Sequence, residues 1–266
     1  MTRFRTRWRW KGEGLRTLVA SVLGILALGS LPALADGVVL QLPAKDQQML
    51  AAKLGPGVVG KALQSKAVDP LVYFPLQDRK LTYLVTSGPY AGNAQTLGLA
   101  KLRRAGGASA WRFQLSPTLA GFVRATAAGD LMMPAVSDSG EGVVVLTTPA
   151  NPFLPKGIKP GESRSVSQTV SVNHLDDPTD QEYSGSLSGT YTNLGTYQVT
   201  VPAGTYEAVV FRFECEGKVG PAHTQDTAYY VFAPGVGAIA MVSQEDVTAF
   251  WLFHIDTSTG KVLSQK

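Results

Sequence analysis

Residues 196–219, TYQVTVPAGTYEAVVFRFECEGKV, decide the fold class of this chain. From Thr205 onward two sets of residues alternate, one apolar (Val209, Phe211, Phe213, Cys215, Val219) and one charged (Arg212, Glu214, Glu216, Lys218). Successive side chains of a strand point to opposite faces, so the pattern predicts a long β-strand with one buried face. Val201-Pro202-Ala203-Gly204 supplies turn chemistry, because Pro presets φ and Gly accepts a positive φ. We therefore expect a hairpin around this turn.

A similar strand-like sequence pattern extends from Leu71 almost to the end of the sequence. Short alternating or β-branched runs are separated by Gly, Pro, Asn and Asp, which is typical of antiparallel sheets. The predicted strands are 80–87, 96–103, 110–115, 121–127, 131–136, 142–147, 163–172, 183–192, 195–201, 205–218, 227–232, 238–242 and 248–256. We expect residues 71–266 to form a mainly β domain, with a strongly curved antiparallel sheet shaped as a half-barrel or open barrel.

Residues 36–70 are predicted to form a short helical segment in front of this domain. Ala44 to Leu54 is rich in helix formers and carries apolar residues at helical spacing. Gly55-Pro56-Gly57 ends that helix, and Val58 to Ser65 is predicted to add a further helical turn or two. The segment either acts as a lid or simply covers one face or end of the sheet.

Residues 1–35 have the organisation of a secretory signal peptide. Basic residues between Arg3 and Arg16 precede an uncharged, mostly apolar run from Leu18 to Leu31, and Ala33-Leu34-Ala35 fits a cleavage site before Asp36. The run has 14 residues, whereas a membrane-spanning helix needs roughly 20, so we expect cleavage and keep an uncleaved anchor as the alternative. The predicted location is periplasmic or extracellular, with no integral membrane span after cleavage.

The leader also accounts for the positive charge of the sequence. The whole chain has 24 Lys and Arg against 20 Asp and Glu, a net charge of +4, but a chain that begins at Asp36 has a net charge of −1. Binding of nucleic acid or of an anionic membrane depends on a surplus of basic residues on the folded domain. The total charge therefore gives no argument for either, and we expect no nucleic-acid partner.

The motifs that carry common chemistries are missing from the sequence. There is no phosphate-binding loop, no dinucleotide fingerprint and no serine-nucleophile elbow. His174, His223 and His254 lie too far apart for a local metal site, and the acidic run 176–182 does not fit a calcium-binding loop. We expect no cofactor and no metal. An envelope hydrolase that uses dispersed residues remains an alternative, and the residues to inspect are Asp226, Glu214, His223 and His254.

Aromatic residues crowd the last third of the chain and are the candidate ligand-binding residues. They are Tyr229, Tyr230, Phe232, Phe250, Trp251 and Phe253. If the sheet is strongly curved, one face could line an apolar cavity, which gives ligand binding a physical basis. The alternative is that these side chains form a plain core. Cys215, the single cysteine, is expected to be a small buried residue without a disulfide, with a reactive thiol as the alternative.

Two turn motifs resemble those of uncharacterised exported bacterial β-domains. Residues 199–206, VTVPAGTY, match a V-x-V-P-A-G-T-[FY] hairpin, and Ala233-Pro234-Gly235-Val236-Gly237 matches the turn before a later strand. The approach Tyr73-Phe74-Pro75-Leu76 is similar to the first strand of those domains, although Leu81 stands where tryptophan is common. The resemblance covers mainly residues 71–242, and such domains are similar in shape to periplasmic lipoprotein-carrier half-barrels. It implies an architecture and no activity.

The leading hypothesis is an exported, soluble, non-catalytic protein whose curved sheet binds a lipid or another apolar or amphipathic small molecule, or a protein partner in the cell envelope. The hydrolase is the first alternative. A structural component of an envelope assembly is the second.

Overall fold

Twelve antiparallel strands close into a barrel in the computed structural model, which describes residues 37–102, 109–249 and 253–266. The barrel strands are β2 (Arg79–Ser87), β3 (Ala94–Leu102), β4 (Ala110–Gln114), β5 (Leu119–Ala125), β6 (Leu131–Asp138), β7 (Val143–Leu154), β8 (Ser163–His174), β9 (Gln181–Val201), β10 (Gly204–Val219), β11 (Ala222–Ala233), β12 (Gly237–Ala249) and β13 (Phe253–Gln265). Each barrel strand pairs with the next in sequence, and the pairing of β13 with β2 closes the ring. The prediction of a mainly β, antiparallel and strongly curved sheet is confirmed.

The sheet closes completely, whereas the sequence analysis predicted a half-barrel or open barrel. Closure depends on β9, which has 21 residues and pairs with β10 along almost its whole length. Its first half also pairs with β8, in a register that runs from Ser163 opposite Thr192 to Asn173 opposite Gln181. The sequence analysis divided β9 near Asn193, but the chain only shifts register there and continues.

The N-terminal segment contains two helices and one strand. The helices are α1 (Ala44–Leu54) and α2 (Pro70–Tyr73), and the strand is β1 (Val59–Leu63). The predicted helical turn at Val58–Ser65 is therefore wrong. This stretch instead pairs with the second half of β9, with Val59 opposite Val199 and Leu63 opposite Thr196. The edge of β9 that β8 does not reach thus receives a partner.

The predicted strand 248–256 covers the end of β12 and the start of β13, with residues 250–252 outside the described part of the chain. Residues 253–256 begin β13, and its remaining residues had no predicted strand. The strand face rich in Thr and Ser, around Thr257 to Thr259, has no apolar alternation by which it could be recognised.

The interior of the barrel and the underside of α1 form one continuous core. Along β10, Phe211, Phe213 and Cys215 face the interior, as the alternation predicts, and all three are buried. Val210 and Arg212 point outward, where Arg212 pairs with Asp46 of α1 and Val210 belongs to the same buried cluster as Leu50 and Leu54. A strand that is apolar on its inner face and partly apolar on its outer face needs cover on both sides.

The antiparallel order gives the barrel two ends. We call the end formed by the connections 126–130, 155–162, 202–203 and 234–236 the upper end. The lower end is formed by the connections 115–118, 139–142, 175–180 and 220–221.

Candidate functional site

The upper half of the barrel interior is filled by an aromatic cluster around Phe74. Helix α2 lies over the upper end and begins at Pro70, with the Asp69 carboxylate accepting a hydrogen bond from the Leu71 backbone N–H at 3.1 Å. The chain then turns inward at Phe74, which is 1% exposed. Rings packed edge to face around Phe74 are Phe113, Phe153 and Phe232, at centroid distances of 5.1, 5.0 and 6.0 Å. Such pairs stabilise beyond the area they bury.

Two further contacts hold this aromatic plug in position. The Gly235 backbone N–H donates to the Val72 carbonyl at 2.8 Å, in a turn where Gly235 has φ of +73°. Glycine adopts that backbone conformation without a steric cost. The Arg79 guanidinium lies over the Phe74 ring, 5.3 Å from its centroid. The turn that carries the A-P-G-V-G motif therefore anchors the helix that delivers Phe74.

Little free volume remains beside the plug. A cavity of about 10 Å³ lies next to it, which is about the space of one water molecule. Its lining residues are Phe74, Arg79, Leu81, Tyr83, Leu97, Gly98, Leu99, Phe113 and Ala238. In this conformation the described aromatic side chains pack against one another.

The six predicted aromatic residues do not share one face. Tyr230 and Phe232 face the interior, with stacked rings 5.9 Å apart. Tyr229 points outward and donates a hydrogen bond to the Asp46 carboxylate of α1. Phe250 and Trp251 lie outside the described residues. Phe253 begins β13 opposite Ala249, and only its backbone is described.

The lower half of the interior carries a row of polar side chains across four neighbouring strands. In register, Cys215 lies opposite Asp226, Asp226 opposite Glu245, and Glu245 opposite Thr257. Asp226 accepts a hydrogen bond from the Thr224 hydroxyl at 3.0 Å and one from the Asp246 backbone N–H of β12 at 3.3 Å. The Thr257 hydroxyl donates to Glu245 at 3.2 Å.

Two carboxyl groups placed directly opposite each other repel when both are ionised. Burial raises the pKa of Asp226 to about 7. Burial, and then the charge of Asp226, raises the pKa of Glu245 to about 8. The pair therefore holds protons near neutral pH. Carboxyl groups with such pKa values can exchange protons with a substrate that reaches them.

A buried lysine lies in the same interior. The Lys261 ammonium donates to the Leu115 carbonyl at 2.6 Å, and burial lowers the pKa of Lys261 to about 8. It has no ion-pair partner among the described residues. Sequence reasoning missed both Glu245 and Lys261, because only the strand register shows that they face inward.

The residues of the hydrolase alternative do not converge where they are described. Asp226 faces the interior, whereas Glu214 points outward and its carboxylate lies 3.0 Å from the Arg212 guanidinium. His223 is exposed at the lower end. The side chain of His254 lies outside what is described. Within the described ranges, no group of three or more His, Cys, Asp or Glu side chains is arranged to hold a metal ion.

Opposite charges collect at the two ends of the barrel, a property that the whole-chain charge conceals. The lower end and the strand segments next to it carry Glu141, Asp176, Asp177, Asp180, Glu182, Glu216, Asp246 and Asp256, together with the basic residues Lys218 and buried Lys261. The upper end carries the larger share of the basic residues, including Lys61, Lys66, Lys80, Lys101, Arg124, Lys156, Lys159 and Arg164. The two populations nearly cancel in the total.

Three exposed aliphatic side chains lie on one side of the upper end. Val39, Leu71 and Val72 are 49%, 47% and 48% exposed. Val39 is bridged to Gln64 just after β1. The strand-to-helix connection also contacts the loop 155–162, since the Gly157 backbone N–H donates to the Val68 carbonyl at 2.8 Å. We call this surface, made of residues 37–40, 59–66, α2 and the loop 155–162, the upper flank.

Comparisons with known proteins give structural likenesses only. No family model matches the chain, and no curated protein matches it. The solved structures that are similar include a protein of Bacteroides fragilis NCTC 9343 described as exported and YmcC-like in fold (13% identity, 73% of this chain and 98% of that one, TM-score 0.34). They also include a lipoprotein of Parabacteroides distasonis ATCC 8503 (12%, 76% and 99%, 0.32) and the hypothetical lipoprotein YmcC of Escherichia coli K12 (10%, 74% and 94%, 0.34).

The helices of the described part of the chain are short. α1 has 11 residues and α2 has four. None of them has the length and apolar character needed to cross a membrane.

Proposed function

We propose that this chain is an exported, non-catalytic protein of the cell envelope that binds its partner through the outside of a filled barrel. The observation that carries the proposal is the aromatic plug, because Phe74 occupies the position where a ligand between Phe113 and Phe232 would lie. The cavity of about 10 Å³ beside it is far smaller than the roughly 300 Å³ at which ligand pockets begin. The export signal predicted at residues 1–35 supports the location.

An apolar or amphipathic ligand inside the barrel is the second candidate. Tyr230 and Phe232 face the interior, and α2, which covers the upper end, has only four residues. Such a ligand would have to displace Phe74, which would then lose its three edge-to-face ring contacts.

The hydrolase alternative would need Asp226 and Glu245 to meet a substrate in the lower interior. A structural role in an envelope assembly uses the same outer surface as our proposal.

The experiment combines native mass spectrometry with site-specific photo-cross-linking in the exporting cell. We expect the purified protein to have the mass of the polypeptide alone. A photo-reactive residue at position 72, on the upper flank, should cross-link to other envelope components, and one at position 186, an exposed position in the lower part of β9, serves as the matched control. A stoichiometric lipid mass that is released only on unfolding would overturn the proposal in favour of the interior ligand.

A further inference from the structure

The upper flank combines exposed aliphatic side chains with four exposed lysines. Its lysines are Lys61, Lys66, Lys156 and Lys159, all exposed. None of them forms an ion pair with another described residue. The nearby Glu162 is engaged by the Arg164 guanidinium at 2.7 Å, and Asp69 caps α2. Glu162 also accepts a hydrogen bond from the Lys159 backbone N–H at 2.8 Å, so it lies next to that lysine. With four lysines against this one glutamate, the flank still presents a net positive charge around Val39, Leu71 and Val72.

We propose that the upper flank docks the protein on an anionic phospholipid surface. The three aliphatic side chains enter the boundary between headgroups and acyl chains, and the four lysines lie at the phosphates. This combination of apolar side chains and basic residues is what binds proteins to membrane surfaces without spanning them. The inference rests on the proposed function, because it names the partner of the outer surface.

The charge distribution orients the molecule on such a surface. An anionic membrane attracts the upper end and repels the acidic lower end, so the barrel stands with residues 175–180 farthest from the lipid. The total charge of the exported chain does not decide binding, since the opposing ends are separated by the length of the barrel. Screening acts over about 8 Å at physiological salt, so each end interacts largely by itself.

The position where the described chain begins points to the same face. The Gly37 backbone N–H donates to the Ser65 carbonyl at 2.7 Å, next to Lys66. The segment 1–36, with its apolar run from Leu18 to Leu31, therefore joins the barrel at the upper flank. While that segment is held in a membrane, the upper flank is the surface nearest to the lipid.

The aliphatic side chains favour lipid over an anionic polysaccharide, which offers no apolar phase to receive them. A second copy of this chain is the other competitor, because the acidic lower end is complementary to the upper flank. Both competitors are outcomes of the test below.

The test is co-sedimentation of the full exported protein with vesicles. Vesicles of 30% phosphatidylglycerol in phosphatidylcholine are compared with pure phosphatidylcholine, at low and high salt, after mass spectrometry has identified the N-terminus. We expect binding to the anionic vesicles only, with loss at high salt. If the apolar leader is retained and the protein binds both vesicle types equally, the leader and not the upper flank causes the binding. That result would overturn the proposal.

Paired substitutions locate the surface. Removing one lysine from an anionic interface weakens binding about fivefold, so Lys66→Gln with Lys156→Gln should weaken it about 25-fold. The matched control, Lys45→Gln with Lys218→Gln, has the same net charge and should stay within twofold. Leu71→Ser with Val72→Ser should also weaken binding, whereas Leu146→Ser, at another exposed site, should not. The thermal midpoint of each variant shows whether it is folded.

Three further results would overturn the inference. These are equal binding by the two lysine pairs, salt-sensitive oligomers without vesicle binding, and tighter binding to an acidic polysaccharide than to the vesicles. If vesicle binding fails while position 72 still cross-links to an envelope component, only this inference falls. If a lipid is instead found inside the barrel, the proposed function itself falls.

Discussion

Asp46 of α1 and Arg212 of β10 form an ion pair that joins the helix to the outer wall of the barrel. The Arg212 Nη1 lies 2.9 Å from both oxygens of the Asp46 carboxylate. The Tyr229 hydroxyl donates to the same carboxylate at 2.7 Å. Asp46 is fully buried, so its charge is stabilised by these two partners and not by water.

Replacing Asp46 by Ala should destabilise the protein by about 3 kcal/mol, because Arg212 keeps only the partly exposed Glu214 as a partner and the Tyr229 hydroxyl loses its acceptor. Urea unfolding followed by circular dichroism measures the change. The control is Lys45→Ala, which removes an ammonium that is 71% exposed and 3.3 Å from Glu214 and should cost less than about 0.5 kcal/mol. Equal stabilities of the two variants would contradict the role given to the pair.

The Phe74→Ala substitution should lower the free energy of unfolding by about 3–5 kcal/mol, since it leaves a void at the centre of the aromatic cluster. Leu71→Ala is the control, because that side chain is exposed on the same segment. The variant should also bind small apolar molecules that the wild type excludes, which isothermal titration calorimetry detects. A Phe74→Ala protein as stable as the control would mean that the ring does not fill the interior.

The stability of the fold should decrease between pH 5 and pH 8. Burial raises the pKa of Asp226 to about 7 and that of Glu245 to about 8, so the folded state keeps protons that the unfolded chain loses near pH 4. The stabilisation is complete below the unfolded pKa values and is lost as the pH rises through the folded ones. We expect a loss on the order of 2–4 kcal/mol over this range. Lys261 acts in the opposite direction only above about pH 8.

Asp226→Asn should flatten this pH profile, because the amide cannot ionise. Asp256→Asn, at an exposed position of β13, should leave the slope unchanged. Chemical denaturation at four or five pH values measures the slopes. Parallel profiles for the wild type and Asp226→Asn would show that the interior carboxyl does not govern the response.

Cys215 should resist thiol reagents in the folded protein. The side chain is 1% exposed, and burial, followed by the charge of Asp226, raises the pKa of its thiol well above the usual value. A maleimide reagent should therefore modify it only after unfolding in guanidinium. Rapid labelling of the native protein at neutral pH would contradict its placement in the interior.

Strand patterns predicted this fold where one face of a strand is apolar and the other is polar. β10 and its turn at Pro202–Gly204 are as predicted, and the predicted α1, 44–54, has the same bounds as the helix. β1 and the second half of β13 were missed because neither alternates clearly, and both form by pairing with strands distant in sequence. Closure depends on the pairing of β8 with the first half of β9 and of β1 with its second half, and no local sequence pattern predicts these pairings.

The candidate site was harder to predict than the fold. Sequence alone could identify Tyr230 and Phe232 as apolar strand residues, but not that Phe74 packs between the walls. Glu245 and the upper flank were missed for the same reason. The inward position of Glu245 follows from strand register. The charge of the upper flank follows from the folding of Lys66 next to Lys156, which is 90 residues later in the sequence, and a whole-chain composition does not show such a grouping.

The last strand along the chain occupies an internal place in the wall. β13 lies between β12 and β2, so β2 keeps an unpaired edge until residues 253–265 are available. A polypeptide that leaves a translocation channel N-terminus first cannot close the barrel before residues 253–265 have left the channel. The barrel therefore closes only after β13 has crossed, and the incomplete wall with its open hydrogen-bonding edge is the species most exposed to chaperones and proteases.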